Sequence, residues 1–294
     1  MNRFFRKVIV ICACIFLSAV IVASSSITHR TVSQNTVQST EDCLIQASID
    51  TTSEPNKPCL YQPAITNPDN LTNPIPTYNP NLPEKERFLS IVNHTLPLIP
   101  DIGTFEYILL RQYGAVFVNN NPLIKLPPKV LFTNTQETKQ YQANLTMGKV
   151  NIGNNCYLQK VAADALNKSR TQINISLKSG NGAGDCTRSY DTNLRFWRKY
   201  ASNKTLEQVR QGKETRILSV VAPPGTSQHL WGLAVDLKVY NSKQREVLNQ
   251  NGWFQTVEGD VPHWTYLGVP EESLTMFGFR KRLVKNIPYW VTPL

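Results

Sequence analysis

Two periods of apolar residues run through this chain. Over Tyr157–Leu166, the residues Leu158, Val161, Ala162, Ala165 and Leu166 follow the i, i+3, i+4, i+7, i+8 spacing of a helix packed on a core. Pro83-Glu-Lys-Glu opens a second helix through Phe88, Ile91 and Val92, and Asp191–Tyr200 reads as a third, with Leu194 and Trp197 on one side. Elsewhere the alternation is by twos. Gln172–Leu177 predicts a strand, and Val130–Phe132, after Pro127-Pro128, a short one. Leu233–Val239 predicts a half-buried strand with Leu233, Val235, Leu237 and Val239 toward the core and Ala234, Asp236 and Lys238 on the opposite face. Pro262 favours an extended start for the segment that follows it. There His263, Thr265 and Leu267 share one face, with Trp264 and Tyr266 on the other. Asn251-Gly-Trp253-Phe254 is a turn leading toward that strand. From Phe105 to Val118 the chain is apolar without a decisive period.

Residues 27–82 break the pattern. They are rich in Thr, Ser, Asn, Gln and Pro and read as a polar tether ahead of a folded domain at 83–294. Before the tether, a basic Met1–Lys7 precedes an apolar Val8–Ala23 and then Ser24-Ser-Ser26. Residues 1–26 therefore read as a secretory signal peptide, with an uncleaved N-terminal membrane anchor as the alternative. The apolar run is shorter than the roughly 20 residues of a spanning helix, which favours cleavage. Either way the folded part is expected outside the cytoplasm, in the periplasm or cell envelope.

Export changes the meaning of the cysteines. Cys12 and Cys14 lie in the apolar segment, and Cys43, Cys59, Cys156 and Cys186 remain as an even set. Three pairings are open. Cys43–Cys59 with Cys156–Cys186 is favoured because each pair closes a local loop. The net charge of +10 comes without any nucleic-acid-binding motif, so nucleic acid is not the expected partner. In an exported chain the charge suits an anionic cell wall or membrane surface.

The candidate chemistry is concentrated near the C-terminus. The chain has four histidines; His29 lies in the polar stretch and His94 in the predicted first helix. The other two fall in Ser227-Gln-His229-Leu-Trp-Gly232-Leu-Ala234-Val-Asp236 and Asp260-Val-Pro-His263. Neighbouring strands would bring Asp236 and His263 together, and Gly232 would let the chain bend His229 back toward them. Two imidazoles and a carboxylate are three ligands for a zinc ion with an open fourth position. Asp260, in a turn after Gly259, would lie beside the metal as a spare carboxylate rather than on it. Trp231 and Trp264 either wall the cleft or pack in the core.

These paired motifs resemble the D-alanyl-D-alanine carboxypeptidases of the VanY type, whose site geometry is shared with lysostaphin-type peptidases and hedgehog domains. The resemblance covers roughly the last two-thirds of the chain. It implies an α+β fold: an antiparallel sheet carrying one Zn2+ site, with helices packed on one side. It also implies hydrolysis of peptidoglycan stem peptides, and the chain is expected to act as a monomer. Carried over by position, His229, Asp236 and His263 would be the zinc ligands and Asp260 the general base, with Ser227 orienting the ligand loop. The sequence departs from the family at two points. Many of these carboxypeptidases have Glu where this chain has Asp260, and Asp is similar to the phage L-alanyl-D-glutamate endopeptidases, so endopeptidase cleavage is an alternative. The family's Ser-Gly-Tyr-Arg-Ser stretch is matched by Arg188-Ser189 after a Gly-rich insert. There Arg188 would hold a substrate carboxylate or a developing oxyanion. A catalytically silent, zinc-containing wall-binding module is the remaining alternative.

Overall fold

The computed structural model of the protein describes residues 79–294. The expectations for residues 1–26, for nearly all of the tether and for Cys43–Cys59 lie outside the described residues.

A turn at Asn79–Leu82 leads into helix α1, Glu84–Val92, which starts at Pro83 and carries Glu84 and Glu86 at the positive end of its dipole. His94 lies just beyond it, exposed. Helix α2, Phe105–Tyr113, is capped by the Thr104 side chain and runs into a 3-10 turn, Gly114–Val118, that is buried throughout. Burial on all sides explains why this apolar stretch shows no single period. Next come α3 (Thr135–Gln142), capped by Asn134, and an antiparallel pair, β1 (Met147–Lys149) with β2 (Tyr157–Gln159). Helix α4 (Lys160–Gln172) follows, then β3 (Ser176–Leu177), the short α5 (Gly182–Asp185), α6 (Tyr190–Tyr200) and α7 (Asn203–Arg210). Ser189 caps α6, and Ser202 with Thr205 forms a capping box on α7. The remaining elements are β4 (Ala234–Lys238), α8 (Ser242–Gln250), β5 (Trp253–Phe254), β6 (His263–Tyr266) and α9 (Glu271–Met276). A terminal hairpin, β7 (Arg280–Val284) with β8 (Ile287–Val291), turns through Lys285 and Asn286, both at positive φ. The fold is α+β, and no helix among the described residues is long and apolar enough to cross a membrane.

The central sheet has the order β3-β4-β6-β5 and is antiparallel throughout. Its register places Val235 against Trp264 and Asp236 against His263. Directly paired residues share a face, so Val235 and Trp264 point into the core while Asp236 and His263 point together to the other side. Trp231, Leu233, Phe254 and Trp264 are fully buried, and each buried Leu or Phe stabilises the fold by roughly 1.5–3 kcal/mol. Both tryptophans are core residues: Trp231 packs on Phe117, and Trp264 lies beneath the Arg245 guanidinium.

Several boundaries differ from the sequence pattern. Val130–Phe132 is not a strand. Pro127 and Pro128 offer no amide donors, and the segment is tied to its neighbour by the Phe132 N–H donating to the Gly225 carbonyl. The expected helix at Tyr157 begins at Lys160, because the first three residues pair with β1. That helix then runs on through Gln172, which leaves only Ser176 and Leu177 of the next strand. Strand β4 is buried on both faces rather than one, since the 3-10 turn Gln228–Trp231 covers the face that carries Asp236.

Candidate metal centre and its cavity

Three elements supply the centre. His229 comes from the 3-10 turn Gln228–Trp231, which ends at Gly232 with φ 67°. That left-handed conformation, natural for glycine, lets the chain fold back into β4. Asp236 projects from β4 and His263 begins β6. All three are buried, and their donor atoms form a compact triangle. His229 Nε2 lies 3.2 Å from His263 Nδ1 and 3.3 Å from Asp236 Oδ1, and His263 Nδ1 lies 3.6 Å from the same oxygen. A tetrahedral site with ligand bonds of about 2.0–2.1 Å has edges of roughly 3.3–3.4 Å. The triangle matches one face of it.

The hydrogen bonds behind the imidazoles decide which nitrogens face inward. His229 Nδ1 donates to the carbonyl of Cys186 at 2.9 Å, leaving the Nε2 lone pair for the centre. His263 Nε2 donates to Gln228 Oε1 at 2.7 Å, leaving its Nδ1 lone pair. The Gln228 amide is itself fixed, because its NH2 donates to the Tyr113 carbonyl at 2.7 Å. Thr265 Oγ1 also donates to Gln228 Oε1, and Thr256 in turn donates to Thr265. Three lone pairs converging without a proton between them are an arrangement that fits a cation, and such outer partners orient metal-ligating histidines generally. Burial, helped by the Arg188 charge, lowers the His229 pKa to about 4, so its imidazole is neutral and ready to ligate. Burial opposes ionisation of Asp236, but its neighbours, among them the Arg188 guanidinium on its other oxygen, hold that carboxyl well below the usual carboxylate range.

The disulfide Cys156–Cys186 is present, as its local spacing suggested. It joins the start of β2 to the end of the Gly-rich insert. Gly182 sits so close to that neighbour that a Cβ there would meet the Asn154 carbonyl oxygen at 2.3 Å. Asp185 ties the insert from within, accepting from the Ser179 and Gly180 amides and from the Ser179 hydroxyl.

The centre opens into a cavity of about 360 Å³. Asp260 lines it, held by two successive turns in which its amide donates to Val257 and its carbonyl accepts from the His263 amide. Burial raises the Asp260 pKa to about 6; the Asp236 charge adds to the rise, while His263, Lys178 and Arg188 oppose it. Ser227 is buried and lines the cavity at the start of the 3-10 turn. The hydrogen bonds that orient the imidazoles come from Gln228 and the Cys186 carbonyl instead. Arg188 also lines the cavity, with its guanidinium already engaged. It donates from Nη2 to Asp236 Oδ2 and from Nε to the Gly184 carbonyl, each at 2.5 Å, and lies 4.8 Å from the centre of the Phe196 ring. Asp236 thus faces the centre with one oxygen and Arg188 with the other.

The antiparallel sheet thus presents two histidines and an aspartate around one point, a group that fits a metal ion, beside a carboxyl with a raised pKa. Residues 157–269 match the family model VanY, D-alanyl-D-alanine carboxypeptidase. That span contains Cys186, Arg188, Ser227, His229, Asp236, Asp260 and His263. No curated protein matches the chain. Among solved structures, a similar one is that of the LdcB LD-carboxypeptidase, described as revealing the molecular basis of peptidoglycan recognition. It is 18% identical, with a TM-score of 0.30, over 45% of this chain and 72% of that one.

Proposed function

We propose that this protein is an exported zinc carboxypeptidase that trims peptidoglycan stem peptides. The observation that carries the reading is the triangle of inward lone pairs on His229, Asp236 and His263, with Asp260 in the same cavity. The family match supports the substrate class. Neutral imidazoles with one carboxylate are the donor set expected for zinc.

When bound, zinc supplies Lewis acidity toward the scissile carbonyl and toward water. The chain's own residues do the rest. Asp260 accepts the proton of the attacking water and delivers it to the leaving amine nitrogen. A carboxyl with a raised pKa suits both halves of that task, since its carboxylate takes the proton more readily than an ordinary one and its acid form, with a pKa nearer the working pH, still gives it up to the more basic amine. Gln228 and the Cys186 carbonyl hold the imidazoles still, and Arg188 keeps Asp236 ionised and aimed. The +10 charge of the chain favours encounter with an anionic wall.

The test is digestion of purified muropeptides with and without a chelator, read by mass spectrometry. Chelator-sensitive loss of one terminal alanine is the expected result. Cleavage inside the stem would make the protein an endopeptidase. No cleavage despite stoichiometric zinc would make it a wall-binding module.

A further inference from the structure

Strand register brings one more charged side chain to the mouth of the centre. Leu177 pairs with Leu237, and the next step along the ladder sets Lys178 opposite Asp236, with the Lys178 amide donating to the Asp236 carbonyl at 2.9 Å. Leu177 and Leu237 are buried on the core side. Lys178 therefore points to the other side, next to Asp236, which in turn pairs with His263. Lys178, Asp236 and His263 form a row across three strands, each about 5 Å from the next.

The Lys178 ammonium is exposed, lines the cavity, and makes no ion pair or side-chain hydrogen bond among the described residues. Its positive field reaches Asp260. Arg188 differs in that two of its five N–H donors, on Nε and Nη2, already serve Gly184 and Asp236, and its guanidinium is paired with the Asp236 carboxylate. A carboxypeptidase substrate carries its terminal carboxylate only three bonds beyond the scissile carbon, at most about 4 Å away. Lys178, whose backbone lies one strand spacing from Asp236 and whose side chain lines the same cavity, is an exposed cation placed to meet it. Arg195, another cation in the cavity, comes from α6 and lies 5.5 Å from the centre of the Phe196 ring.

We infer that Lys178 is the residue that reads the free C-terminal carboxylate of the substrate and so sets exopeptidase over endopeptidase cleavage. This rests on the peptidase reading above. The terminal carboxylate accepts from the Lys178 ammonium while the scissile carbonyl faces the His-Asp-His centre. A peptide continuing past that point has no charge to offer there.

The test compares full-length, zinc-loaded protein on a stem pentapeptide ending in D-Ala-D-Ala and on the same peptide with a C-terminal carboxamide. Wild type should favour the free acid by about 10–100-fold in kcat/KM, the range for a hydrogen bond between charged groups. Lys178→Met should lose that preference through KM on the acid, with kcat and amide cleavage nearly unchanged, while Lys178→Arg should keep most of it. Melting temperature and zinc content should match wild type, since Lys178 is exposed. A Lys178→Met enzyme that still prefers the acid overturns the assignment, as does loss of the preference in Arg195→Gln alone. Equal cleavage of both peptides by wild type also removes Lys178 from this role while leaving the peptidase reading intact. Cleavage of neither peptide overturns the peptidase reading and this assignment with it.

Discussion

Asp260→Asn keeps the size of the side chain and removes its charge, which separates what the carboxylate does for chemistry from what it costs the fold. Burial lifts the Asp260 pKa from 3.8 to about 6. The folded, metal-free protein therefore holds this proton more tightly than the unfolded chain does. Below pH 3.8 both states carry the proton and wild type has its full stability as far as this group is concerned. As the pH rises through 6, the folded state loses the proton and with it an advantage of at most about 3 kcal/mol. Asparagine never carries the charge, so the variant should gain on wild type between pH 4 and pH 7 by roughly 1–3 kcal/mol and then hold level. Other titrating groups cancel in the comparison. The assay is urea denaturation of both proteins with a chelator present, across that pH range. Zinc-loaded, the same variant should bind metal with unchanged stoichiometry and turn over about 10²–10⁴-fold more slowly, the usual contribution of a general base. In zinc-loaded wild type, kcat/KM should fall on the acid side as Asp260 takes up its proton, at a pH below the metal-free value because the dication favours the carboxylate. A stability difference that does not change with pH would refute the burial argument. Turnover within tenfold of wild type would remove Asp260 as the base.

Gln228→Ala should weaken zinc binding by about 10–100-fold in a competition with a chromophoric chelator, because it frees His263 to rotate. It should also cost roughly 1–3 kcal/mol by leaving the Tyr113 carbonyl and the His263 N–H without their Gln228 partner; unchanged affinity would show that Gln228 only fills space. Replacing both Cys156 and Cys186 by Ser opens a loop of sequence separation 30 and should lower stability by about 3–4 kcal/mol. Zinc affinity should fall as well, since the Cys186 carbonyl holds His229; loss of stability without loss of affinity would separate the two roles.

That His229, Asp236 and His263 come together was legible because each sits in a short motif whose spacing survives any detail of packing. The alternation around Asp236 and His263 gave the correct facing of both side chains, and the Cys156–Cys186 pair followed from loop length. What the sequence did not expose is carried by contacts between distant segments. Gln228 is a glutamine beside a ligand, with no pattern of its own, and its importance depends on a backbone carbonyl from Tyr113. Lys178 becomes a neighbour of Asp236 only once the register of β3 on β4 is known. Arg188 was placed near the substrate from a motif, yet which side of Asp236 it would take depends on the Gly184 carbonyl and the Phe196 ring. The strand expected at Val130–Phe132 had the right residues and no partner for a ladder.

The row Lys178–Asp236–His263 depends on alignment between strands as much as on residue identity. Successive side chains on a strand point to opposite faces, so a one-residue slip of β3 would turn Leu177 toward the candidate centre and carry the ammonium to the other side. Deletions or insertions in the short stretch between α4 and β3 would thus be far more disruptive than substitutions at its exposed positions. Variants that change specificity should accordingly differ in the length of this connection, a form of variation that point-mutation scans do not sample.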